Sequence, residues 1–124
     1  MEGIIMIVMK CKIFDIGDNF LEIKEANAMI MFGKDAPQDL LKYCVIIDSL
    51  TINKDVQKGM KLFIGNQVYC ITAVGNHVNN TLKTLGHATI YFDGSFEPKL
   101  PGCLHVERKS YPEISIGDDV YIDE

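Results

Sequence analysis

Apolar residues in this chain fall in short runs that alternate with polar ones, and turn residues interrupt the runs at close intervals. That period-2 pattern predicts β-strands over 4–14, Ala28–Phe32, Cys44–Leu50, Lys61–Ile64, Gln67–Val74, Ala88–Phe92, Cys103–Glu107 and Asp118–Asp123. Gly65-Asn66 joins two apolar runs and reads as a hairpin link, since glycine reaches positive φ without a Cβ clash. Asp93-Gly94 and Pro101-Gly102 mark further turns. Two segments read as short helices. Pro37–Tyr43 opens on a proline suited to a first turn. Asn79–Leu85 has Asn79 or Asn80 as a cap and Gly86 as its stop. About eight closely spaced strands and so little helix predict an all-β fold, a small closed or nearly closed barrel with two short helices. No internal repeat or linker is legible, so residues 1–124 read as a single domain.

Alternation also sorts side chains by face. His87, Thr89 and Tyr91 share one face of their strand, and Ala88, Ile90 and Phe92 share the other, the natural core face. Leu104 and Val106 point one way from the next strand, and Cys103, His105 and Glu107 the other. Both His87 and His105 are therefore expected on the more polar faces, exposed or lining a groove.

Composition narrows the function classes. Twelve Lys and Arg against seventeen Asp and Glu give a net charge of −5, which repels phosphate backbones and anionic lipids. No nucleic-acid partner is expected. The first apolar run ends at Met9 and is followed by Lys10, too short for a membrane helix or a signal-peptide core. The expected compartment is the cytoplasm, without membrane insertion. Cys11, Cys44, Cys70 and Cys103 form no CxxC pair and read as free thiols in or beside the core.

The candidate chemistry is sparse. The three histidines, His77, His87 and His105, stand at no metal-ligand spacing, so neither a metal nor a cofactor is expected. No Gly-x-Ser-x-Gly elbow or Walker A loop is present.

Three segments add a family. They are Ala36-Pro37 through Leu40 to Tyr43-Cys44-Val45-Ile46; Tyr69–Gly75 with Leu82–Gly94; and Pro101–Val106. Within them, Thr72-Ala73-Val74-Gly75 and Leu85-Gly86-His87 leading to Phe92-Asp93-Gly94 are specific in combination. In order and spacing the chain resembles the glucitol/sorbitol-specific enzyme IIA component of the phosphoenolpyruvate-dependent sugar phosphotransferase system. The resemblance implies a small β-barrel and a phosphotransferase-system subunit. Such a subunit takes a phosphoryl group from phospho-HPr onto a histidine and passes it to the IIB domain of a IIB/IIC sugar transporter. A neutral imidazole nitrogen is a suitable nucleophile near neutral pH. The loose transition state chiefly needs in-line positioning.

The chain departs from its family at the acceptor. The family's phosphoacceptor histidine aligns with Ile47, and a second family histidine aligns with Ser49. His87 and His105 match family histidines; His77 does not. Those two are the catalytic candidates, as supporting residues or as a replacement acceptor. His105 is placed first because Glu107 on its face could fix its tautomer. Asp48 and Ser49 are acceptors in principle, but an aspartyl phosphate calls for a metal and a lysine partner. Three readings follow. One is a phosphoryl carrier, and another is a regulatory or binding protein that keeps the barrel without transfer. The third is an unrelated small-ligand barrel with His87 and Tyr91 at a polar mouth.

Overall fold

The computed structural model describes residues 6–124. Eight strands close into a barrel: β1 (Ile7–Ile16), β2 (Ala28–Gly33), β3 (Val45–Ile52), β4 (Lys61–Ile64), β5 (Gln67–Val74), β6 (Ala88–Tyr91), β7 (Cys103–Val106) and β8 (Asp119–Asp123). Their order around the barrel is β1-β3-β2-β6-β7-β5-β4-β8. Two neighbouring pairs, β2/β3 and β6/β7, run parallel, and the rest are antiparallel. The all-β barrel expected from the sequence is the observed architecture. The start of the first predicted strand, at residues 4 and 5, lies outside the described residues.

The helices differ from expectation in detail. α2 (Val78–Leu85) begins one residue earlier, with His77 at the capping position and no side-chain cap. Asn79 does not cap it: its side chain accepts the Val56 N–H at 2.7 Å and donates to the Val56 carbonyl at 3.1 Å. Gly86 ends the helix in the left-handed region at φ +66°. The helix predicted over Pro37–Tyr43 is only a run of turns with a 3-10 turn at Leu41–Tyr43. It has too few apolar residues to bury along one face. α1 (Phe20–Lys24) was not legible, being a single turn with no side-chain cap.

Inward residues from every strand fill the barrel, among them Cys11, Ile13, Met29, Ile47, Leu62, Tyr69, Ile71, Ile90, Phe92, Val106 and Ile122, all at most 2% exposed. Each large aliphatic side chain so buried stabilises the fold by roughly 1.5–3 kcal/mol. A second small apolar cluster of Phe32, Ala36, Cys44 and Ile46 lies outside the barrel wall.

The structure also contains a duplication that the sequence hides. Gly17 N–H bonds the Cys44 carbonyl, as Gly75 N–H bonds that of Cys103. Asn19 N–H bonds Lys42 O, as His77 N–H bonds Pro101 O. The register shift after Ile13 in the β1/β3 ladder recurs after Ile71 in β5/β7. Asn27, with φ +57°, stands in the turn between α1 and β2, as the left-handed Gly86 stands between α2 and β6. A pseudo-twofold axis therefore relates the half ending in β4 to the half ending in β8. It passes between the paired residues Ile30 and Thr89, and between the stacked rings of Phe63 and Tyr121. Under this relation Phe32 corresponds to Tyr91, Gly33 to Phe92, Ile46 to His105 and Ile47 to Val106.

Candidate functional site

The two candidate histidines occupy different settings. β7 holds His105 with both faces of the strand covered, and the ring is fully buried. This corrects the expected polar face. Its Nδ1 lies 2.9 Å from Asp93 Oδ1, and its Nε2 accepts the Lys99 backbone N–H at 3.1 Å. Tyr91 stacks on the ring with centroids 5.3 Å apart. Lys99 Nζ sits 3.6 Å from Asp93 Oδ2 and 4.6 Å above the Tyr91 ring centre. Burial tends to raise the Asp93 pKa. Hydrogen bonds from His105 and the Ser95 N–H, with the Lys99 charge nearby, outweigh burial and hold the carboxyl below its usual range. Asp93 accepts from Nδ1–H and Nε2 takes the Lys99 N–H, so both ring nitrogens of His105 are engaged. The carboxylate that fixes this ring is Asp93 and not Glu107, whose Oε1 accepts the Cys70 N–H at 2.7 Å. Asp93 had been legible only as half of a turn pair.

His87 follows the left-handed Gly86 and leads into β6. Its Nδ1 lies 3.1 Å from the Met31 carbonyl oxygen, which can only accept, so the ring proton is on Nδ1. Phe32 stacks on the ring at 4.4 Å. The residue is half-buried, and among the described residues Nε2 has no hydrogen-bond partner. His77 is exposed at the start of α2.

Ile47 is 2% exposed and forms part of the wall of a cavity of about 250 Å³. Gly33, Leu50, Thr84, Leu85 and Gly86 also line it, and Lys34 stands at its side. Asp48, next along β3, has a lysine partner, with Lys34 Nζ 3.5 Å from Oδ2. No group of three or more His, Cys, Asp or Glu residues able to hold a metal occurs among the described residues. Ser49 is exposed and takes a left-handed φ of +55°. All four cysteines are free; Cys70 is half-buried and the others buried. Burial, with the charges of Asp48 and Asp119, pushes the Cys11 thiol up to about 12, so it stays protonated. A larger polar groove of about 600 Å³, lined by Asn66, Gln67, Ser110 and Glu113 among others, includes no histidine or cysteine.

Residues 8–121 match the family described as the PTS system glucitol/sorbitol-specific IIA component. The chain belongs to that family. It is 32% identical over 111 residues to the PTS system glucitol/sorbitol-specific EIIA component of Escherichia coli (strain K12), covering 90% of each chain. Identity and coverage are the same for the component of that name in Shigella flexneri. The crystal structure of a PTS system IIA component from Enterococcus faecalis V583 superposes with a TM-score of 0.76. It shares 24% identity and covers 90% of this chain and 96% of that one, so it supports the fold. Family membership sets aside the unrelated small-ligand barrel. It identifies the chain as a phosphotransferase-system IIA component.

Proposed function

We propose that this IIA component carries a phosphoryl group from phospho-HPr to a IIB domain in the cytoplasm, with His87 Nε2 as the acceptor. The observation that carries the assignment is the unequal state of the two candidate rings. His105 is enclosed, with both nitrogens bonded. His87 has Nδ1–H held by the Met31 carbonyl and Nε2 unpaired. The Nε2 lone pair attacks the phosphorus of the donor phosphohistidine. The P–N bond to the donor ring breaks, and its electron pair returns to the donor nitrogen. Met31 O keeps the proton of His87 on Nδ1 and so keeps Nε2 nucleophilic. Transfer to IIB repeats the step with His87 as the leaving group. His105 is a positioning residue that fixes the turn at Asp93 and the loop at Lys99.

The buried side chain of Ile47 favours a second reading, a regulatory IIA-type protein that binds partners without transfer. One assay separates the two. The protein is incubated with enzyme I, HPr and labelled phosphoenolpyruvate, and any label is mapped by mass spectrometry under non-acidic conditions. Acid-labile phosphate on His87, lost in His87→Gln and retained in His105→Asn, is the expected result. No label, while a sorbitol IIA control labels in parallel, overturns transfer and leaves the regulatory reading.

A further inference from the structure

The 250 Å³ cavity shares a residue with the surroundings of His87: Phe32 lines the cavity and stacks on the His87 ring. Ile47, Leu50 and Leu85 add apolar lining. The end of α2 and the end of β2 meet there backbone to backbone. A Cβ on Gly33 would lie 2.8 Å from the Leu85 carbonyl oxygen, and one on Gly86 would lie 3.1 Å from Gly33 N. With no flexible side chain at that junction, the recess is preformed.

The same recess carries charge. The Ala36 N–H bonds the Gly33 carbonyl at 3.1 Å and closes a turn with Lys34 and Asp35 at its centre. Both residues line the recess. Lys34 is already engaged, its ammonium 3.5 Å from Asp48 Oδ2 and 4.0 Å from the Phe14 ring centre. Asp35 is exposed and has no hydrogen bond or ion pair among the described residues. Lys34 set against Asp35 and Asp48 leaves one negative charge without a counterpart.

We infer that this recess receives an arginine side chain presented by the protein that docks over His87. That a protein docks there rests on the phosphotransfer reading; the fit of the arginine does not. Its methylene stem lies along the apolar lining while its head pairs with Asp35. A guanidinium is less hydrated than an ammonium and meets a carboxylate through two parallel N–H bonds, which suits a charge beside apolar walls. A wholly apolar side chain would cover Asp35 and leave it unpaired, and an acidic one would be repelled. Leu85 and Phe14, each 49% exposed, add apolar contact for a polypeptide that a free guanidine would not use. The net charge of −5 favours the approach of a basic partner surface.

The full-length ¹⁵N-labelled protein is titrated at low salt with N-acetyl-arginine amide. The amides of N-acetyl-citrulline, which keeps the shape without the charge, and of N-acetyl-lysine are titrated in parallel. The expected result is saturable shifts at the backbone amides of Gly33, Ile47, Leu85 and Gly86, with both comparison probes weaker by about three- to fivefold. Asp35→Asn should lower the arginine affinity to that of citrulline. Asp39→Asn removes an exposed carboxylate that does not line the recess, and should leave the arginine affinity unchanged. Absence of saturable shifts, equal affinity for either comparison probe, or equal effects of the two substitutions would overturn the proposal. These readouts need no phosphoryl transfer. A His87 that labels in a protein that ignores the arginine probe would sink this inference alone, and arginine binding without label would sink only the carrier reading.

Discussion

Asp93 gathers a histidine N–H, a backbone N–H from Ser95 and the Lys99 ammonium around one carboxylate. Ile46 occupies the place of His105 in the other half, and Phe32 that of Tyr91, so the same architecture stands with apolar residues there. The polar set is therefore a local commitment, and removing one member leaves another unpaired. Asp93→Ala strands the His105 Nδ1–H in a buried site, and we expect a loss of about 1–3 kcal/mol in urea unfolding. Because the folded-state pKa of Asp93 lies below its unfolded value, its contribution is present above the unfolded pKa and lost as pH falls through the folded one. The stability gap between wild type and Asp93→Ala should therefore narrow as the pH falls below the ordinary carboxyl value of about 4. A gap that stays constant over that range would contradict the assigned ionisation. The cysteines matter less here. With its thiol pushed up to about 12, Cys11 should resist alkylation at pH 8 until the protein unfolds.

At the level of elements, each half turns from strand to helix through a glycine that touches backbone. A Cβ on Gly17 would collide with the Lys42 carbonyl oxygen, and one on Gly75 with that of Pro101. Neither obstacle is a movable side chain. Gly17→Ala and Gly75→Ala are each expected to cost roughly 1–3 kcal/mol by urea denaturation. The two losses should be similar in size, because the two turns are built alike. The sequence disclosed the strands because one-sided burial imposes period-2 alternation, as in Ala88 to Phe92. It did not disclose the duplication. The equivalent positions share a burial pattern and little else: Gly17 matches Gly75, and Cys44 matches Cys103, while Ile46 matches His105. Nor did it disclose the partners of His105, since Asp93 and Lys99 come from a loop whose path no periodicity sets. His87 was legible as a candidate, whereas the state of its two nitrogens depends on a carbonyl of a different strand.

At the level of the whole molecule, each half lends its last strand to the other. β4 pairs only with β5 and β8, and β8 only with β1 and β4. A half alone would expose open strand edges and an unfilled core. Fragments 1–64 and 65–124 are expected to be unfolded separately and to regain β-sheet circular dichroism when mixed. A fragment that folds cooperatively by itself would contradict the exchange. The register Ile7↔Asp123 brings the two ends of the described chain side by side. A permutant with the original ends joined by a short linker and reopened between Gly65 and Asn66 should fold to the same barrel, with the halves in reversed order.

The pairing of Ile7 with Asp123 has a mechanical side as well. A pull on both termini acts at one end of a single antiparallel ribbon, so the load falls on one β1/β8 hydrogen bond at a time. The barrel should peel open like a zipper at low force, however well its interior is packed. The same barrel pulled from the Gly65-Asn66 tip and from one terminus would have to shear several strands at once, and should resist far more.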